Sequence, residues 1–102
     1  MTLAEALVSV WRQVLVENAN IVELEGRRYP VQRTRRLRLR QVDFEFEGQR
    51  LHGIEQNPHT KSRWAELARK GQQVMQFSRG GRYLGNVADG TVTFYEGTAE
   101  EA

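Results

Sequence analysis

The residues able to do chemistry fall into two groups, a histidine–carboxylate set and a run of arginines. His52, Glu55 and His59 are the nitrogen–oxygen ligands closest together in the chain. An imidazole titrates near neutral pH and can move a proton or bind a metal, and metal ligands must converge at about 2 Å. Asp43 joins the set if a hairpin turns at Glu47-Gly48, because it then faces His52. No spacing rule forces convergence, since His52 falls on a strand and His59 at a helix start. Ser9, Ser62 and Ser78 lack a Gly-x-Ser-x-Gly context. Gly80-Gly81 joins two strands instead of opening a helix, so it is no phosphate loop. The chain has no cysteine, which excludes disulfides, thiolate–zinc sites and a cysteine nucleophile. The expectation is a protein without catalytic residues, metal or cofactor; a metal- or histidine-dependent enzyme is the alternative.

The arginines are the stronger signal. Residues 27–40 hold seven of them (Arg27, Arg28, Arg33, Arg35, Arg36, Arg38 and Arg40) and no acid, so a chain of net charge +2 carries −5 elsewhere. Only two of the 15 basic residues, Lys61 and Lys70, are lysine. The guanidinium is a planar fork that grips carboxylate or phosphate and stacks on rings. Leu37 and Leu39 alternate with Arg36, Arg38 and Arg40, which predicts an arginine-faced strand. Two readings stand. In the first, Arg33, Arg35, Arg36, Arg38 and Arg40 meet an anionic partner, an acidic protein surface or a nucleic acid, with Tyr29 as a stacking ring. In the second they cover a solvated sheet face and pair with Glu23, Glu25 or Glu45. Arg79-Gly80-Gly81-Arg82 is a single RGG copy and reads as a hairpin turn. Glu55-Gln56-Asn57 precedes a helix start, where an anion can sit, but the favoured reading is that Asn57 caps the helix while Glu55 and Gln56 satisfy turn backbone.

The elements that position these residues follow from periodicity. Thr2 and Glu5 form a capping box, and Leu3, Leu7, Val10, Trp11 and Val14 make a helical apolar stripe ending at Asn18-Ala19-Asn20. Two short strands flank Glu25-Gly26, with Pro30 marking an edge. Val42, Phe44 and Phe46 alternate with acids and pair across Glu47-Gly48, setting Glu45 opposite Arg50 and Phe44 opposite Leu51. The apolar parity switches between Leu39 and Val42, which predicts a β-bulge near Arg40-Gln41. Asn57-Pro58 opens a second helix closed by Gly71, with Trp64 beside Trp11 in the core. Gly80-Gly81 and Asp89-Gly90 join three last strands, pairing Val87 with Val92 and Gly85 with Phe94.

The assembled expectation is an α+β fold: an N-terminal helix, six or seven antiparallel strands forming a curved sheet or small partly open barrel, and one helix between the two main hairpins. Residues 1–20 are an amphipathic helix packed on the domain, 21–97 the antiparallel β domain with its inserted helix, and 98–102 a frayed acidic tail. No apolar run approaches the roughly 20 residues of a membrane span. Met1-Thr2-Leu3-Ala4-Glu5 lacks the basic start of a signal peptide, so a cytoplasmic protein with no membrane partner is expected.

The stretch Gly53 to Gly71, with its Glu55-Gln56-Asn57-Pro58 and Ser62-Arg63-Trp64-Ala65 strings, followed by Val74-Met75-Gln76-Phe77, resembles a family of small uncharacterised bacterial proteins, many of them cyanobacterial. The resemblance covers roughly residues 33 to 96 and implies a bacterial cytoplasmic protein. It brings no activity, ligand or catalytic residue. The functional expectation is therefore a small non-enzymatic binding or adaptor module that uses the arginine strand. The alternative is an accessory subunit or homodimer assembled through Leu3, Leu7, Val10 and Trp11 of the N-terminal helix.

Overall fold

Four two-residue turns set the architecture of the computed structural model, which describes residues 1–98 and Glu100. Glu25-Gly26, Glu47-Gly48, Gly80-Gly81 and Asp89-Gly90 all have positive φ at both positions, the backbone that matches the right-handed twist of flanking strands. Each closes an antiparallel pair in the shortest way. β1 (Ile21–Leu24) and β2 (Arg27–Pro30) form a separate ribbon. β3 (Gln32–Arg33), β4 (Arg40–Phe46), β5 (Gln49–Glu55), β6 (Val74–Arg79), β7 (Arg82–Ala88) and β8 (Thr91–Phe94) form a six-stranded sheet in chain order. The fold is α+β, and the sheet does not close into a barrel: β3 and β8 are its two edges.

The register of the main hairpins follows side-chain alternation. Asp43, Phe44 and Glu45 face His52, Leu51 and Arg50, and Gly85 and Val87 face Phe94 and Val92. Gly85 is held to glycine by its close neighbour: a Cβ there would lie 2.7 Å from the Thr93 carbonyl oxygen.

Helix α1 (Leu3–Trp11) begins at the expected capping box. The Thr2 hydroxyl accepts from the Glu5 N–H at 3.1 Å, and the Glu5 carboxylate accepts from the Thr2 N–H at 2.8 Å. The helix continues as a π-helical turn, Arg12–Val16, and stops at Asn18 with φ 56°. Leu7, Val10 and Val14 are fully buried against a core that includes Phe44, Phe77 and Val87. Each such aliphatic side chain contributes about 1.5–3 kcal/mol by leaving water. Phe44 and Phe77 meet edge to face at 6.1 Å. Of the stripe expected as an alternative surface for a second copy, Leu7, Val10 and Trp11 are buried in the chain's own core and Leu3 is partly buried against it. Gln13 clamps the helix to β1, donating to the Glu23 carbonyl at 2.9 Å and accepting the Glu23 N–H at 2.8 Å.

Several expectations are corrected. No bulge interrupts β4; the register shift lies between Phe77 and Ser78, in the pairing of β6 with β7. The arginine strand is not a strand. The chain reverses between β3 and β4, so Arg35, Arg36 and Leu37 lie in a turn and Arg38 and Leu39 lead out of it. The Thr34 N–H donates to the Leu39 carbonyl (2.9 Å) while the Thr34 hydroxyl accepts the Leu39 N–H (3.0 Å), closing the loop. The parity switch is therefore made by leaving the sheet. Helix α2 (Arg63–Arg69) starts later than expected: Ser62, not Asn57, is its cap, accepting from the Ala65 N–H at 3.0 Å. Asn57 instead turns the chain by accepting the His59 N–H at 2.8 Å. Gly71 closes α2 as expected, its N–H bonded to the Ala68 carbonyl and that of Gln72 to the Leu67 carbonyl, the paired bonds of a left-handed cap. Trp64 is only half-buried, and the Arg63 guanidinium lies 4.8 Å over its ring. Of the tail expected at 98–102, Ala99, Glu101 and Ala102 lie outside the described residues. Glu100 is bound to Arg79 at 2.7 Å, and that hydrogen bond holds the Glu100 carboxyl below the usual range.

Candidate anion-binding site

The 34–39 loop overhangs a cleft of about 590 Å³. The end of the N-terminal helix forms one wall through Leu15 and Asn18, and the end of α2 forms another through Ala68 and Gly71. Three of the five arginines expected to bind an anion, Arg33, Arg38 and Arg40, line this cleft. Arg35 and Arg36 do not; they lie at the turn of the loop, exposed to solvent.

Arg40 is fixed. Its guanidinium meets Glu55 through both oxygens, at 3.2 and 3.1 Å, and its backbone N–H donates to the same carboxylate at 3.1 Å. It also donates to the Val14 carbonyl at 3.0 Å and to the Asn18 side chain. The π-helical turn leaves that carbonyl available, and Arg40 supplies a cation at the negative end of the helix. Only 15% of the Arg40 side chain and 30% of Glu55 remain exposed. Burial pushes the Glu55 carboxyl up, but hydrogen bonds from the Arg40 side chain and backbone and the charges of Arg40 and Arg33 outweigh it, so Glu55 ends below its ordinary value. Arg40 and Glu55 cancel within the cleft wall.

Arg33 and Arg38 are not cancelled in this way. Arg33 donates to the Arg38 carbonyl at 3.0 Å, which holds Arg38 in a left-handed conformation of φ 58°. Such a conformation costs a non-glycine residue about 1–2 kcal/mol. Among the described residues the side chains of Arg35, Arg36 and Arg38 have no ion pair or hydrogen bond. Arg27 and Arg28, at the start of the run, pair with Glu45 (2.7 Å) and Glu23 (3.5 Å). Between Arg36 and Arg38, Leu37 is 47% exposed, an apolar tip set among cations. The sequence pattern assigns Leu37 to the core because its alternation with arginine mimics a strand.

Of the histidine–carboxylate set, His52 and Asp43 meet across the hairpin as expected, while Glu55 and His59 do not join them. His52 Nδ1 lies 2.8 Å from Asp43, Glu55 belongs to Arg40, and His59 is held through its backbone by Asn57. Among the described residues no group of three or more His, Asp or Glu side chains is placed to hold a metal ion.

Gln56, from the Glu55-Gln56-Asn57 string, lines the cleft, and Tyr83, which the sequence pattern does not single out, lines a second depression that shares Gln56 with it. Tyr83, 61% exposed, stacks on Tyr95 with ring centres 5.2 Å apart and planes 28° apart. An aromatic residue next to the buried Leu84 on a hairpin strand was the available signal, since alternation turns one of the two outward. Gln56 is 8% exposed, and its Oε1 has no donor among the described residues. No helix in the described residues is long and apolar enough to cross a membrane. Comparison with protein-family models, with curated proteins and with solved structures gives no match.

Proposed function

We propose that the protein is a binding module that takes an anionic partner on the 34–39 loop and the cleft beneath it. One observation carries this reading: among the described residues Arg35, Arg36 and Arg38 project from a built loop without carboxylate partners, while Arg27, Arg28 and Arg40 of the same run are already engaged. Unpaired guanidinia close together raise the local potential and draw in phosphate or carboxylate groups. The loop backbone is held by Thr34 and Arg33, so ligand binding has only the arginine side chains left to order, which lowers its cost.

Retention on heparin-agarose tests the reading. The wild-type chain is expected to bind at low salt and elute as salt rises. A variant carrying Arg35→Gln, Arg36→Gln and Arg38→Gln is expected to elute much earlier with an unchanged melting midpoint. Each phosphate or sulfate left without its guanidinium lowers the slope of log affinity against log salt by about 0.7–0.9. Flow-through of the wild type at low salt, or equal retention of the variant, overturns the reading.

A further inference from the structure

The cleft does not end at the loop. Leu39, Glu55 and Gln56 form a wall shared with a second depression of about 420 Å³ on the sheet face opposite α1. Phe77, Met75 and Val87 point into the core, so alternation turns Ile54, Gln76, Asn86 and Thr93 to the other side. These four are successive cross-strand partners on β5 to β8. The second depression is uncharged apart from Glu55, which Arg40 neutralises. Tyr83 and Tyr95 line it together with Gln76, Asn57, Thr60 and Ser62. Among the described residues the Gln76 carboxamide makes no hydrogen bond. On its far side Tyr83 borders a further hollow whose lining carries Arg82 and Glu96 together with Arg79, which Glu100 neutralises, so the unpaired positive charge lies on the loop side of the ring.

From this juxtaposition we infer that the protein binds single-stranded nucleic acid, with phosphates following the arginine loop and a base laid on Tyr83. The inference rests on the reading that the loop arginines meet an anion, and it chooses among the anions. A base offers a flat face to Tyr83 and polar edges to Gln76 and the neighbouring hydroxyls. A duplex hides its base faces in the stack. An acidic polypeptide satisfies the arginines but has nothing planar for the ring. A single strand therefore uses both depressions, and the other two partners use one.

Fluorescence anisotropy separates these cases. The probes are labelled single strands of oligo-dT and oligo-rU about 12 nucleotides long, a duplex of equal length and poly-glutamate. Each is titrated at low and moderate salt against the full chain and the Tyr83→Ala and Tyr83→Phe variants, with melting curves to confirm folding. At least one single strand is expected to bind more tightly than duplex and poly-glutamate. Tyr83→Ala should weaken that binding by about five-fold or more. Tyr83→Phe should restore it, and neither change should move poly-glutamate binding. Equal binding of duplex and single strands, or indifference of single-strand binding to Tyr83→Ala, overturns the inference while the anion reading stands. Absence of binding to every probe at low salt overturns both.

Discussion

Arg40 and Arg38 sit two residues apart in the same basic run, yet they belong to different parts of the molecule. Arg40 opens β4, is mostly buried, and joins Glu55 to the Val14 carbonyl and Asn18. Arg38 lies just outside the sheet in a left-handed conformation, and its guanidinium meets solvent. The first is used by the fold and the second is left available. A count of basic residues therefore overstates what a ligand meets, because carboxylates and helix carbonyls reach some of the arginines first.

Substitutions at the two positions should separate stability from binding. Arg40→Met leaves Glu55 and the Val14 carbonyl without their partner and is expected to cost about 2–4 kcal/mol, read as a fall in the thermal midpoint of about 10 °C or more. Adding Glu55→Met should recover part of that cost, since the stranded charge goes with it. A double variant no more stable than Arg40→Met would show that the carboxylate was not the source. Acid should act on the same pair more gently. Glu55 binds its proton less readily folded than unfolded, so its stabilisation is complete above the ordinary carboxylate range and is lost as pH falls through the lowered folded value. Chemical denaturation from pH 7 downward should show this decline, and it should be smaller in the double variant, where the other lowered carboxyls, Glu5 and Glu100, remain.

Arg38→Gly is expected to raise stability by up to about 1 kcal/mol, because glycine takes positive φ without the steric cost, and to weaken polyanion binding. A variant that is destabilised would mean that the guanidinium has a structural partner, and the contrast with Arg40 would fail. The smallest effect belongs to Arg28→Gln. Its pair with Glu23 is long and largely exposed, and such pairs contribute little, so the melting midpoint should not move and heparin retention should fall only slightly.

The same region is where local pattern and structure part. Four hairpin turns and the registers around them are legible in the sequence because Glu-Gly, Gly-Gly and Asp-Gly announce the backbone they need. The 34–39 loop has no glycine or proline; its left-handed position is an arginine, and its Leu-Arg alternation has the period of a strand. Thr34, whose side chain closes the loop, is an ordinary strand residue by propensity. The site's charge is therefore visible in the sequence, while its shape is not. Asn57-Pro58 misleads in the opposite sense: it carries strong helix-start chemistry, but the chain makes an Asx turn and delays the helix to Ser62. Arg69 holds that delay in place by donating to the Pro58 and Thr60 carbonyls at 2.6 and 3.0 Å, a link across 11 and 9 residues that no local pattern reveals. The Tyr83–Tyr95 pair follows the β7–β8 register, in which the Tyr95 N–H donates to the Leu84 carbonyl just past the Gly85–Phe94 pair, so its place is legible although its stacking is not.

The N-terminal helix is tied to the opposite end of the fold. The Trp11 ring N–H donates to the Gln73 carbonyl, and the Gln73 carboxamide donates to the Leu15 carbonyl, across 62 and 58 residues of chain. On a ribosome adding about 5–20 residues each second, the helix emerges roughly 3–12 s before those partners exist. During that interval β1 can already pack on the helix, but the helix's contacts with β6, β7 and β8 are still missing. Full cover for Leu7, Val10 and Trp11 therefore waits for the last strands, and a chain stopped short of them keeps part of that stripe open to water.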